Sequence, residues 1–324
     1  MCSKIKVGII GCGNVGKGVI KALKKANDME LVEVFSRRRN LKVDELYAKD
    51  ILEVLNYKDK IDVMILCGGS AVDLPKQGPV FLEHFNTVDS FDTHAKIQDY
   101  FQKMKIVGEK CGKLGLISVG WDPGLFSINR LIGEAILPEG NEYTFWGRGV
   151  SQGHSDAIRQ IEGVKSGIQY TIPKEDVLEK IRNGEELKLS AREKHSRLCF
   201  VVLEEFGNKN KVEKAIKEMK DYFLDYDTEV RFISEEEFKR NHSDMPHGGK
   251  VIRTGKTGEK NCGKIEFSLD LESNPEFTAG ILVAYARAVY RMVKEKRSGA
   301  ITVFDVPPAY LSIKDGNTLR NELL

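Results

Sequence analysis

Several common features are missing from this 324-residue chain, and each absence narrows what it can be. No apolar run approaches the ~20 residues that span a bilayer, so no membrane anchor is expected. Fifty basic residues against 48 acidic leave a net charge of only +2, without the cationic excess that draws nucleic acid. A small-molecule partner is favoured. Cys2, Cys12, Cys67, Cys111, Cys199 and Cys262 are scattered, with no CxxC pair and no Cys/His spacing that gathers a metal ion. They read as free thiols of a reducing cytoplasm. Met1 leads directly into an apolar run, which leaves no room for a secretory or transit segment and points to a cytoplasmic location. Repeats and low-complexity tracts are absent too. The length fits two domains of ordinary size.

What is present begins at Lys4. A short apolar run, Ile5 to Ile10, ends in Gly11-Cys-Gly-Asn-Val-Gly16, after which a helical pattern runs from Lys17 to about Asn27. Gly11, Gly13 and Gly16 fill the GxGxxG spacing: a tight turn, a close backbone approach to a pyrophosphate, and close packing of helix on strand. The free N–H groups and positive end of the helix would face that pyrophosphate. A second strand, Met29 to Phe35, stops at Ser36-Arg-Arg-Arg39. An acidic residue there would hold a ribose 2′-hydroxyl; Ser36, Arg37 and Arg38 suit a 2′-phosphate, so NADP is the expected cofactor. The alternative is a solvated basic loop.

Ile61 to Cys67 is nearly continuously apolar and closes in Gly68-Gly-Ser70, a buried strand with a second backbone-rich turn. Asn86 to Asp89 and Leu114 to Val119 read as further strands, ending in Ser90-Phe-Asp92 and in Gly120-Trp-Asp-Pro-Gly124. A helix from about Lys96 to Cys111 separates them. Ligands of open α/β sheets bind outside the carboxyl ends of the strands, so Asp92 and Asp122 should face one crevice and hold a substrate ammonium. A turn role for Asp122 and an N-cap role for Asp92 are the competing readings.

Beyond Phe126 the strict alternation ends. Helices are expected at Leu125 to Ile136, Lys211 to Asp221 and Ala279 to Lys296, and strands at Tyr143 to Trp146, Leu198 to Leu203, Thr228 to Ile233, Lys264 to Leu271 and Ala300 to Phe304. The fold class is therefore α/β, a Rossmann-type dinucleotide-binding domain with a second, α+β domain. The helix at Ala279 is apolar round most of its circumference, which implies burial against the first domain or a second subunit. Polar clusters interrupt the second domain at Trp146 to Asp156, with Gln152 and His154, at Arg197, and at Met245-Pro-His-Gly-Gly249, where His247 is expected on a loop. Each has a bland reading as a turn, a cap or a surface charge.

With these residues in view the chain resembles the meso-diaminopimelate D-dehydrogenases, NADP-dependent amino-acid dehydrogenases of lysine and cell-wall metabolism. The likeness runs through Gly11 to Gly16, Phe35 to Arg38, Gly69 to Ala71, Gly120 to Arg130, Ser151 to Asp156, Met245 to Gly249 and Asn274-Pro-Glu-Phe-Thr278. It implies reversible oxidative deamination of the D-centre of meso-2,6-diaminopimelate, and a homodimer. It implies a dinucleotide domain over 1–120 joined by about 298–324, a dimerisation region of 121–150 and 272–297, and a substrate domain over 151–271. Cofactor contacts by position are Gly11, Cys12, Gly13, Asn14, Val15, Gly16, Ser36, Arg37, Arg38, Ser70, Ala71, Val72, Ser90, Phe91, Asp92, Trp121, Asp122, Pro123, Gly124 and Leu125. Substrate contacts are Asp92, Asp122, Trp146, Gln152, Gly153, Thr171, Arg197, His247 and Asn274, with Asp92 and Asp122 catalytic. Val72 departs from a polar residue of some relatives, without an expected change of function. The rival readings are an NADP dehydrogenase of another small amino acid and a non-catalytic NADP sensor.

Overall fold

The computed structural model describes residues 3–38, 41–43 and 45–324, so the readings placed on Met1, Cys2 and Arg39 fall outside the described residues. The chain divides into two compact units, Met1–Ile128 with Pro275–Leu324, and Asn129–Asn274.

In the first unit β1 (Ile5–Ile10) gives way at Gly11 to α1 (Asn14–Lys25), and β2 (Met29–Ser36) follows. The helix starts three residues earlier than expected because Gly13 itself is its N-cap, in extended backbone and without a side-chain cap. The small strands β3 (Lys42–Val43), β4 (Leu46–Tyr47) and β5 (Lys49–Asp50) precede β6 (Val63–Leu66), α2 (Leu74–Leu82), β7 (Asn86–Asp89), α3 (Ile97–Cys111) and β8 (Leu114–Leu116). Val63, Met64, Ile65 and Leu66 are all fully buried, as a parallel strand covered on both faces requires. β8 is half as long as its apolar run, since Ser118 turns to φ +58° and sends its N–H to the Asp89 carboxylate instead of a neighbouring strand.

The second unit takes over within α4 (Leu125–Ile136), which matches its expected bounds. It continues through β9 (Glu139–Trp146), β10 (Gly149–Val150), α5 (Gln152–Arg159), β11 (Val164–Pro173), α6 (Glu175–Arg182), the single turn α7 (Ala191–Lys194), β12 (His195–Leu203), α8 (Lys209–Lys217), β13 (Asp227–Phe232), α9 (Glu235–Asn241), β14 (His247–Lys256) and β15 (Cys262–Leu271). One sheet has the order β10-β11-β12-β13, the other β15-β14-β9. The first packs Cys199 and Val201 on Ile158, Val212 and Ile216 of α5 and α8; the second packs Tyr143, Phe145 and Ile252 on Val177, Leu178 and Ile181 of α6.

The chain then returns through α10 (Asn274–Lys294), β16 (Gly299–Ile301) and α11 (Gly316–Leu323). β16 pairs with β8 and completes a seven-stranded parallel sheet, β16-β8-β7-β6-β1-β2-β5. The chain leaves β1 on one side for β2 and on the other for β6, and a ligand crevice opens at the carboxyl ends where the order reverses. α10 is buried as its all-round apolar pattern predicts: a Cβ added to Gly18 of α1 would lie 2.8 Å from that of Ala279. Arg287 of α10 grips Asp28 with both Nε and Nη2 and gives Nη1 to the Leu311 carbonyl.

Candidate active site

At the reversal point a cavity of about 420 Å³ is lined by Gly11 to Gly13, Ser36 to Arg38, Gly68 and Gly69. The glycines are there for steric reasons. Gly11 sits at φ +96°, and a Cβ on Gly16 would stand 2.1 Å from the Gly11 carbonyl oxygen. At Gly13 a Cβ would meet nothing within 4 Å, so its missing side chain leaves open space in front of the uncapped N-terminus of α1. A pyrophosphate fits that cradle, where the helix N–H groups and dipole favour an anion. Arg38 folds over the turn, its Nη2 donating to the Cys12 carbonyl at 2.8 Å, while its N–H is held by Ser36 Oγ at 3.0 Å. Arg37 extends from the same tip with 65% of its side chain exposed, paired at 2.9 Å with Asp73, whose other oxygen accepts the Gly69 N–H. Ser36, Arg37 and Arg38 therefore line the same cavity as the glycine turn, as a 2′-phosphate site requires. Cys12 and Phe91 have buried side chains, which leaves their main chain to meet a cofactor. Val72 is 64% exposed.

The next two tips carry the acids. β7 and β8 are parallel neighbours, and Asp92 and Asp122 follow their carboxyl ends. Asp92 is exposed and Asp122 half-buried. Thr93, not Asp92, takes the N-cap of the short 3-10 turn that follows, so the capping role is not realised. Asp92 is fixed through its main chain: Ser70 Oγ accepts the N–H groups of Asp92 and Thr93 at 2.8 and 3.1 Å and meets Thr93 Oγ1 at 3.0 Å. Ser70 thus ties the loop after β6 to the loop after β7. Asp122 sits in a turn closed by the Trp121–Gly124 bridge and by Leu125 N–H to the Gly120 carbonyl at 3.0 Å. Gly124, at φ +133°, has no room for a Cβ, which would fall 1.8 Å from that carbonyl oxygen.

In the second unit the cluster forms on the α5 face of the first sheet. Thr171 and Arg197 are register partners on β11 and β12, and Arg197 Nη1 donates to Thr171 Oγ1. The guanidinium is 8% exposed, lies 3.9 Å over the Tyr226 ring, and has a buried Nε with no acceptor. Burial pulls its pKa down, and among the described residues no carboxylate pairs with it. A buried cation without a counter-ion is costly unless a ligand supplies one. A cavity of about 450 Å³ also touches Arg197, but its walls include Ile172, Ser196 and Leu198, the alternate positions of the same strands, so it opens on the opposite face.

Around Arg197 three histidines are held neutral. His154 takes its place in α5 between Ser151 Oγ, 2.8 Å from Nδ1, and the Tyr222 carbonyl, 3.1 Å from Nε2; burial lowers it to about 4. His195 is lowered to about 3, chiefly by burial and then by Lys194 and Arg197. Its Nε2 accepts the Trp146 N–H at 2.9 Å, and its ring stacks on the Trp146 indole. His247 stands not on a loop but at the first position of β14, 9% exposed, with Nδ1 accepting the Gly248 N–H at 2.8 Å. The glycines after it serve close strand approach: a Cβ on Gly248 would lie 2.3 Å from the Leu269 oxygen. Gln152 opens α5 and reaches Met245 Sδ at 3.0 Å; Gly153 beside it has open space where a Cβ would be. Asn274 donates its N–H to the Met245 carbonyl. Trp146, Gln152, Gly153, Thr171, Arg197, His247 and Asn274 thus lie on interlocked segments of one unit. No group of His, Cys, Asp and Glu suited to a metal occurs among the described residues, and no helix there is long and apolar enough to cross a membrane.

The sequence reading passed over Asp89, His195 and Gln169. Asp89 ended an apolar strand, His195 lies two residues before Arg197 and so on its face, and Gln169 precedes Thr171 in the same way. Alternation from the named residues points to the last two.

Comparison with known proteins places this geometry. The model of the diaminopimelic acid dehydrogenase C-terminal domain matches residues 120–273. A meso-diaminopimelate D-dehydrogenase of Ureibacillus thermosphaericus is 59% identical over 99% of this chain and 100% of its own, and one of Corynebacterium glutamicum is 46% identical over 96% of each. The solved C. glutamicum diaminopimelate dehydrogenase in complex with DAP superimposes with a TM-score of 0.93 over 99% of this chain and 100% of that one, at 44% identity. A Clostridium tetani E88 meso-DAP dehydrogenase carrying six substitutions, also with DAP, gives 0.94 at 54% identity over 99% and 100%. An engineered D-amino acid dehydrogenase bound to NADP+ gives 0.88 at 42%, again over 99% and 100%. The chain belongs to the family of meso-diaminopimelate D-dehydrogenases.

Proposed function

We propose that this chain catalyses the reversible NADP-dependent oxidative deamination of the D-centre of meso-2,6-diaminopimelate to L-2-amino-6-oxopimelate and ammonia, as a cytoplasmic homodimer. The observation that carries this is Arg197, a buried guanidinium whose only polar side-chain partner is Thr171 and whose Nε lacks an acceptor. A substrate with a carboxylate at each end supplies the missing anion at one end while presenting its reacting amine elsewhere. Support for the surrounding pocket comes from the six-substitution C. tetani relative. The Gln, Thr, Arg, Pro, His and Asn replaced in it follow the order and spacing of Gln152, Thr171, Arg197, Pro246, His247 and Asn274. Pro246 thereby joins the proposed set.

Bound NADP supplies the hydride acceptor, held by the Gly11 to Gly16 turn and the Ser36 to Arg38 tip. Asp92 and Asp122 receive the D-ammonium, and one of them takes its proton so that the nitrogen lone pair can assist loss of the Cα hydride. Water then adds to the imine carbon, the same carboxylates relay its proton, and ammonia leaves. Arg197, Thr171 and His247 hold the remote carboxylate, which keeps the L-centre away from the reaction and selects the D-centre. Residues 121–150 and 272–297 form the dimer contact, and 151–271 the substrate domain.

The test is absorbance at the NADPH band after mixing protein, NADP and meso-diaminopimelate at alkaline pH. A rise with this substrate, absent with homoserine or aspartate, is expected. No rise would leave an NADP sensor; a rise with the shorter amino acids alone would leave a different dehydrogenase.

A further inference from the structure

Asp89 is fully buried in the middle of the crevice floor, and nothing in the chemistry above uses it. Its Oδ1 accepts two main-chain N–H groups that belong to different loops, Phe91 at 3.0 Å and Ser118 at 3.2 Å. Phe91 immediately precedes Asp92; Ser118 begins the bend that leads to Asp122. The Oδ2 accepts the Tyr100 hydroxyl at 2.7 Å, and the Tyr100 ring packs on Phe91 at 4.4 Å between centroids. The Asp89 carbonyl takes the Val119 N–H at 2.9 Å, a second tie to the same bend. Ser118 adopts φ +58°, a conformation that costs a non-glycine residue energy and persists only where its surroundings hold it.

We infer that Asp89 is a positioning residue for the reaction: one buried carboxylate oxygen fixes the spacing between the two loops that carry Asp92 and Asp122. A pair of acids that shares one ammonium must be set to within about an ångström, since such displacements cost catalysis on the order of a hundredfold. β7 and β8 fix the loop roots but not the loops, because pairing between them stops at Val88 and Leu116. Beyond that point Asp89 replaces the ladder. Its neutral isostere Asn keeps Oδ1 as an acceptor, and the Tyr100 hydroxyl can rotate to accept from the new amide. Ala leaves two buried N–H groups without a partner.

The inference rests on the proposed reaction and is tested beside it. Wild type, Asp89→Asn and Asp89→Ala are compared with meso-diaminopimelate and NADP, with kcat expressed per NADP-binding site from a fluorescence titration so that misfolded protein does not count. Amide exchange at Phe91 and Ser118 is followed in the same samples. Asp89→Ala is expected to lose more than tenfold in kcat, with KM and the NADP Kd changed less than threefold and both amides deprotected; Asp89→Asn is expected to stay within threefold in kcat. An Asp89→Ala enzyme with unaltered kcat per site overturns the role, as does an equal loss in Asp89→Asn. If Asp89→Ala does not fold, Asp89→Glu, which moves the acceptors outward by one methylene, is held to the same tenfold expectation. An inactive wild type refutes the proposed reaction instead; protection of both amides retained in the variant then refutes the tether independently.

Discussion

Arg37 and Arg197 carry the same charge into opposite surroundings, and the difference sets what each can do. Arg37 is largely exposed, and its pair with Asp73 is worth about 0 to 1 kcal/mol, so it turns to a phosphate at little cost. Arg37→Asp is expected to lower the preference for NADP over NAD by about tenfold to a hundredfold, the worth of a hydrogen bond to a charged group, as measured by the ratio of kcat/KM for the two cofactors. An unmoved ratio would count against the 2′-phosphate site. Asp122→Ala is expected to cut kcat by about a hundredfold or more while the NADP Kd stays within threefold, because it removes an acid–base group and leaves the glycine turn intact. Isothermal titration beside steady-state kinetics checks both halves. At this scale the sequence was legible where a residue's chemistry matched its place at a strand end: Ser36, Arg37, Arg38, Asp92 and Asp122 all stand at sheet tips. Asp89 escaped notice because a strand-end acid usually faces water, and only the fold shows both of its oxygens turned inward to donors.

Elements differ in how openly they announce themselves. β1, β2 and β6 were plain because parallel strands covered on both faces need unbroken apolar side chains. The turn between β1 and α1 was plain because its glycines answer to steric demands. Gly16→Ala places a methyl against the Gly11 carbonyl oxygen, and the turn must open. Loss of NADP affinity on the order of tenfold or more is expected, with the far-UV dichroism unchanged; a variant that binds normally would show that the turn yields. β14 was not read as a strand at its start, since Pro246, Gly248 and Gly249 are turn residues by habit. Here Gly248 and Gly249 let β9 and β15 approach on either side, and His247 pairs with Leu271 instead of projecting into solvent. β11 was missed as well: Gly167, Gln169 and Thr171 break its apolar alternation because that face meets Ile158 at Gly167 and carries the polar cluster beyond it.

At the scale of the whole chain, the first unit is closed by residues from both ends of the sequence. The Asp28–Arg287 pair fastens them. Arg287→Ala leaves the Asp28 carboxylate partnerless and the Leu311 carbonyl without its donor. It is expected to destabilise the protein by about 2 to 3 kcal/mol, at the low side of the buried-pair range because Asp28 keeps 23% of its side-chain surface. Urea denaturation followed by tryptophan fluorescence checks it. The hydrogen bond to Arg287 holds the Asp28 carboxyl below its ordinary value, so the pair's contribution is present above the unfolded aspartate pKa and fades as pH falls through the lower folded one. The variant should therefore differ most from wild type at neutral pH and converge on it in acid.

The split of the first unit across the sequence also bears on how the protein is made. While the ribosome extends the chain, β1 to β8 emerge early, yet their edge partner β16 follows only after the roughly 150 residues of the other unit. At about 5 to 20 residues per second, translation leaves the nascent nucleotide sheet with an open flank for on the order of ten to thirty seconds.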